Sequence, residues 1–303
     1  MTNAPSASRT TPTPDQRTTT SLTRVLGALL LAVLLLPACN VPWGESSRRQ
    51  SCAMNLKNLG QALALYAAEH DGAYPPLQRK AGAEMLVNPG VLMFDWRMMA
   101  PDYIDDCNLL LCPSSDQAES VRTRAAWCQG ETGKPLAWLV DDTAYTYLGW
   151  FGDGLPDSPK ASTQVYADGV NWLFAQPEAE RLELLDQNLS FTASDGQRHV
   201  LKRLGAGLPD RCNVPAVGIP VLMDTFQGIS STGMTAPGMP MDMLMFNHVP
   251  GGSNVLYLDG HVAFVKYPSY PVTHEMAAFL GGLRTTKNSA IYGGLGSRVL
   301  LER

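Results

Sequence analysis

FNHVPGGSNVLYLDGHVAFVKYP, residues 246–268, is the stretch on which the fold turns. Residues 253–258 alternate and are rich in β-formers, and residues 261–267 alternate back. Between them stands Asp259-Gly260, the preferred dipeptide for a two-residue turn that suits right-twisted strands. The segment therefore predicts a β-hairpin with Asp259-Gly260 as its two-residue turn. Pro250-Gly251-Gly252 punctuates the entry, and ten residues separate His248 from the Asp-Gly pair.

Upstream, residues 48–76 read RRQSCAMNLKNLGQALALYAAEHDGAYPP. Leu56, Leu59, Leu63 and Tyr66 recur at three- and four-residue steps, which predicts an amphipathic helix stopped by Asp71-Gly72. Residues 75–106 read as an irregular crossing with a short helix near 83–87. Strands are expected at 109–111, 144–150, 199–204 and 218–226, and an exposed helix at 177–188 with acids in its first turn. Ser114 is a candidate cap for a further short helix, and 275–283 for another helix. Residues 127–139, 152–159 and 228–243 read as loops, the last Gly-, Met- and Pro-rich. The sum is an α+β fold: an N-terminal α-helix packed on an antiparallel β-sheet, with long loops and small inserted helices. The expected organisation is a leader or anchor over 1–39, a linker and amphipathic helix over 40–75, the α+β body over 76–272, and a tail over 273–303.

These two segments together resemble a large bacterial family, the prepilin-type or DUF1559 proteins, related to the pseudopilins of type II secretion. The C-terminal match is to the family's H-x9-DG signature, here carried by His248, Gly251, Gly252, Asp259 and Gly260 with a spacing of ten, Pro250 adding one residue. The N-terminal match is to its Arg-Arg, Cys, Asn-Leu-Lys pattern, here Arg48, Arg49, Cys52, Asn55, Leu56 and Lys57. Cys112-Pro113 and residues 145–150 also look like family sequence. The resemblance implies a pseudopilin-like plan and an envelope protein, and it says more about what the chain is than about what it does.

Residues 25–38, VLGALLLAVLLLPA, form a 14-residue apolar run, short of the roughly 20 residues that a membrane span needs. The Gly-Phe-Thr-Leu-Ile-Glu motif of a pseudopilin is absent from its start. Leu36-Pro37-Ala38-Cys39 reads as a lipobox, with Cys39 taking a diacylglycerol whose chains anchor by about 0.8 kcal/mol per buried CH₂. The alternatives are an uncleaved signal anchor and a processed pseudopilin. Each places the body outside the cytoplasm. Val41-Pro42-Trp43-Gly44 is expected to break the helix between the apolar run and Cys52.

A net charge of −5 offers no basic field for nucleic acid. Of six cysteines, Cys107, Cys112 and Cys128 lie near one another in sequence, and Cys107–Cys128 or Cys112–Cys128 would close a short disulfide loop. No C-x2-C spacing points to zinc. His248, Asp259 and His261 are a candidate metal set, against the reading in which Asp259 serves the turn and His248 bonds a backbone carbonyl. Major pseudopilins carry a calcium site, for which Asp141, Asp142, residues 153–157 and Asp224 are the acids on offer, although no calcium loop matches residue by residue. Met234, Met239, Met241, Met243 and Met245 could serve Cu(I) but read better as packing residues. No hydrolase or nucleotide fingerprint occurs. The expectation is a non-enzymatic, membrane-anchored envelope protein without a cofactor, its partners other envelope or secretion proteins. The alternatives are a glycan- or peptide-binding module using Trp138, Trp150 and Trp172, and a metal-dependent hydrolase centred on His248.

Overall fold

The computed structural model describes residues 40–78, 91–114, 140, 142, 144–152, 159–212, 214–227, 245–248 and 251–283. The chain separates into two units, Met1–Ser46 and Ser47–Arg303. Of the first, the described part is the opening of a helix. That helix, α1, runs Asn40–Glu69. It continues through 41–44, against the expected break. Pro42 is harmless there because it sits in the first turn, where backbone N–H groups lack intrahelical acceptors in any case. The helix ends where expected, with Asp71 and Gly72 at φ 52° and 79° and the Gly72 N–H donating to the Ala67 carbonyl at 2.8 Å.

The second unit continues through α2 (Trp96–Met99), β1 (Tyr145–Tyr147), β2 (Trp150–Gly152), α3 (Pro159–Ala175), α4 (Glu178–Leu184), β3 (Leu189–Thr192), β4 (Arg198–Arg203), α5 (Leu208–Cys212), β5 (Pro220–Asp224), β6 (Phe226–Gln227), β7 (Met245–Phe246), β8 (Gly252–Tyr257) and β9 (Val262–Lys266). Strands β1, β5, β8 and β9 form an antiparallel sheet in that order, so the closing hairpin lies inside the main sheet. A second antiparallel sheet has the order β2-β4-β3. The α+β class and the leading helix on a sheet are as the sequence predicts.

Leu56, Leu59, Leu63 and Tyr66 turn one face of α1 inward and are buried, while Met54 and Leu65 on other faces are exposed. Gly60 lets the helix come close to β8: a Cβ there would lie 2.8 Å from Leu256 Cδ1. Strand β8 is buried over its first five residues, as a central strand beneath a helix must be. At its end the turn differs from the expected one. Gly260 N donates to Tyr257 O at 2.9 Å and Tyr257 N to His261 O at 3.0 Å, and only Gly260 has a positive φ, at 81°. This is a three-residue loop, a type I turn closed by a Gly bulge; a two-residue type I′ turn would need Asp259 at positive φ as well.

Three other expectations change. Residues 109–111 do not form a strand: Cys107–Leu110 is a 3-10 helix, nucleated by Asp106, whose side chain accepts from Asn108 N. The expected strand 144–150 divides into β1 and β2, which serve different sheets, with Gly149 at φ 72° between them. Helix α3 was not anticipated, and it covers the second sheet. Its Gly169 sits where a Cβ would come within 2.6 Å of Leu201 Cδ1 and 2.7 Å of Phe191 Cε1. Gly169→Ala is therefore expected to cost about 1–3 kcal/mol by overpacking, despite the better helix propensity of Ala. A urea melt of the purified variant checks this, and a gain in stability would show that Phe191 and Leu201 yield freely.

Candidate functional site

Four side chains far apart in sequence meet beneath α1. Cys52 lies on its buried face, Cys112 follows the 3-10 helix, Asp224 ends β5, and His248 stands four residues before β8. All four are buried, and one ligand atom from each falls within 4.8 Å of those of the others. The Cys52 and Cys112 sulfurs are 2.7 Å apart. His248 Nε2 is 3.8 Å from Cys112 Sγ and 2.9 Å from Asp224 Oδ2. That same Oδ2 accepts from Asn254 N at 3.0 Å and Asn254 Nδ2 at 2.7 Å.

The chain folds this way locally for identifiable reasons. Asp224 closes an otherwise apolar strand, so its carboxylate is carried into the core by its neighbours and needs donors there. Asn254, two residues into the adjacent strand from Gly252, supplies two of them. Ser253 Oγ adds a bond to the Asp224 carbonyl at 2.7 Å. Gly252 is small because β9 lies against it: a Cβ would sit 2.6 Å from both Phe264 Cζ and Val265 O. Gly251 in turn lies beneath the Phe246 ring, 3.1 Å from where its Cβ would be.

The members of the cluster act on one another's protonation. The hydrogen bond from Cys52 lowers the Cys112 thiol to about 7 against the pull of burial, with His248 assisting. The same hydrogen bond, reinforced by burial and by Asp224, pushes the Cys52 thiol far up. Burial disfavours charge on His248, but its bonds to Asp224 and Cys112 outweigh that and raise it to about 10.

By residue type, two sulfurs, a histidine and an aspartate could hold zinc in a closed tetrahedral site. Their arrangement suits it poorly. Sulfurs about 2.3 Å from a tetrahedral zinc lie roughly 3.8 Å from each other, against 2.7 Å here. Nε2 of His248 is already committed to Asp224.

Other residues singled out in the sequence tie α1 to the cluster and to the hairpin. Asn55 Nδ2 donates to Leu111 O at 2.9 Å, next to Cys112-Pro113, and to the Tyr145 hydroxyl at 3.3 Å. Lys57 Nζ donates to Gly260 O at 2.9 Å, tying α1 to the hairpin tip. Asn254 Nδ2 reaches Arg49 O at 3.2 Å, and the Arg49 guanidinium lies 4.6 Å from the Phe264 ring centre. Each segment that carries the family resemblance therefore touches another. No family model, curated protein or solved structure matches this chain.

Other expectations are revised by this geometry. Cys112 faces Cys52, 60 residues away, rather than a neighbour in its own segment, while Cys107 is buried at the start of the 3-10 helix. His248 does not join Asp259 and His261. Those two pair with each other at the half-exposed hairpin tip, Asp259 Oδ1 to His261 Nδ1 at 2.6 Å, whereas His248 is fully buried. Its Nε2 is taken by Asp224. Of the acids proposed for calcium, Asp224 is spent inside the cluster and Asp142 accepts from Leu92 N at 3.2 Å. Trp150 is buried and donates to Gln187 O at 2.8 Å, so it is not a ligand platform. Trp172 packs on the core beside Phe191. Cys39 and the apolar run, Cys128, Trp138, Asp141, residues 153–157, the helix expected at 83–87 and Met234, Met239, Met241 and Met243 lie outside the described residues. Among the described residues, no helix is long and apolar enough to cross a membrane. Sequence reading missed Asp224 as a partner of His248. The signal for it was a single acid closing an apolar run, GIPVLMD.

Proposed function

We propose that this chain is a non-enzymatic envelope protein of the DUF1559, pseudopilin-like type, tethered to a membrane through Cys39 or the apolar segment before it, and that it presents its body for contacts with other envelope or secretion proteins. The observation that carries this reading is the convergence beneath α1. Residues of the Arg-Arg/Cys/Asn-Leu-Lys segment bond residues of the Cys-Pro segment and of the hairpin segment, and they do so in the helix-on-sheet plan that the resemblance implies. The site is sealed: Cys52, Cys112, Asp224 and His248 are each at most 1% exposed, which suits a structural centre and gives a substrate no path. Trp150 is buried in the core, and Trp172 is partly buried against it.

Fractionation of cells producing the full chain tests the reading. The parent protein is expected in the membrane fraction, accessible from outside the cytoplasm. Cys39→Ser is expected to lose incorporation of labelled fatty acid and, where lipid is the main tether, to move to the soluble fraction. A parent chain that stays soluble in the cytoplasm sinks the proposal.

A further inference from the structure

We propose that Cys52 and Cys112 are the two halves of a buried disulfide that fastens α1 to the four-stranded sheet. Two observations point to it. The sulfurs are 2.7 Å apart, about 0.7 Å beyond the length of a disulfide bond, with no side chain between them. They are brought there by contacts that do not depend on the bond: Asn55 holds the Leu111 carbonyl from one side, and Gly60 seats the helix on Leu256 from the other.

The chemistry needs an oxidant, which a disulfide such as oxidised glutathione supplies. The Cys112 thiolate attacks one glutathione sulfur, the glutathione S–S bond breaks, and one glutathione leaves as a thiol. Cys52 then gives up its proton and attacks the Cys112 sulfur of the mixed disulfide, and the second glutathione leaves. Two protein thiols become one disulfide, and two protons and two electrons pass to the oxidant. Both sulfurs are sealed once α1 is docked, so exchange takes place while the helix is still off the sheet, and the finished bond is shielded afterwards from reductants. Closure also settles the question of metal, since it removes two of the four donors and leaves His248 bound to Asp224. The proposal draws on the envelope reading only for an oxidising compartment in cells.

The test therefore begins outside cells. Full-length chain, purified in detergent, is denatured and reduced, refolded with reduced and oxidised glutathione, and blocked with an alkylating agent before digestion. Trypsin leaves Cys107 and Cys112 on one peptide, residues 98–122, so a chymotryptic step that cuts among Leu109, Leu110 and Leu111 is needed to separate them. The expected product is a 52–112 cross-linked peptide that disappears on reduction, with a melting temperature lowered by dithiothreitol in the parent but not in Cys52→Ala/Cys112→Ala. Both thiols found alkylated, a pairing of Cys112 with another cysteine, or one equivalent of zinc that protects both thiols until a chelator is added overturns the proposal; the mapping needs no variant to fold. Protein taken directly from cells separates the two readings. A link that forms in the refolded chain but is missing from protein alkylated at lysis supports the staple and counts against the extracytoplasmic location. A link that cannot be formed in vitro removes the staple wherever the protein resides.

Discussion

Asp224→Ala is expected to destabilise the purified chain by about 3–5 kcal/mol, because it removes one member of a buried charged pair and strands the rest. Asp224 Oδ2 accepts from His248 Nε2, Asn254 N and Asn254 Nδ2, all inside the core. Without it the backbone N–H of Asn254 loses its acceptor at a central strand, and His248 either buries a charge alone or gives up its proton. Each stranded donor costs about 1–3 kcal/mol. Asp224→Asn keeps an acceptor oxygen for Asn254 and removes only the charge, so roughly half the loss is expected. Urea unfolding followed by tryptophan fluorescence measures both, with the buried Trp96 and Trp150 as reporters. An alanine variant within about 1 kcal/mol of the parent would mean that water enters the cluster and replaces the carboxylate.

The second large effect is expected at Arg203, at the end of β4 and 7% exposed. Its Nη1 donates to Gly149 O at 2.6 Å and its Nη2 to Tyr74 O at 2.9 Å and Pro75 O at 2.5 Å. The guanidinium also lies 5.4 Å from the Trp150 ring centre. One side chain thus clamps the segment after α1 to the glycine that passes the chain from β1 to β2. Hydrogen bonds to a charged group contribute about 1.5–3 kcal/mol each, and these are not additive, since Pro75 O also accepts from Tyr147 and Gly149 O from Leu204 N. Arg203→Met is expected to cost about 3 kcal/mol in the same urea experiment. Arg203→Lys should recover less than half, because an ammonium cannot span three carbonyls in the plane of the fork. Full recovery by lysine would show that charge, rather than the spread of donors, is what the three carbonyls require.

Where sequence and structure agree, the signal was local. The step of Leu56, Leu59, Leu63 and Tyr66 marked the buried face of α1, Asp71-Gly72 its end, and the alternation around Asp259-Gly260 the hairpin. Acids in the first turn marked α4. Helix α3 escaped because Thr163, Val165, Gly169 and Val170 are poor helix formers, and its burial comes from the second sheet, which sequence periodicity does not reveal. Residues 109–111 look like a strand in isolation, and Asp106, three residues earlier, decides otherwise. The site shows the same limit more sharply. Cys52, Cys112 and His248 were each legible as motif residues, but their meeting was not: the four positions of the cluster lie between 24 and 196 residues apart, and only the sheet order β1-β5-β8-β9 brings Asp224 beside His248.

The absence of a side chain at Gly60 reaches further than its contact with Leu256. Cys52 lies two turns before it, about 12 Å along the helix axis, and Lys57 one turn before it. Seating depth is therefore a single adjustable quantity shared by the sulfur pair, the amide at Asn55 and the ammonium at Lys57. A lysine stem can stretch to follow a helix raised by an ångström. Two sulfurs cannot, since the bond between them exists only over a few tenths of that distance. The smallest residue on the rod is thus the gauge block for its least forgiving joint.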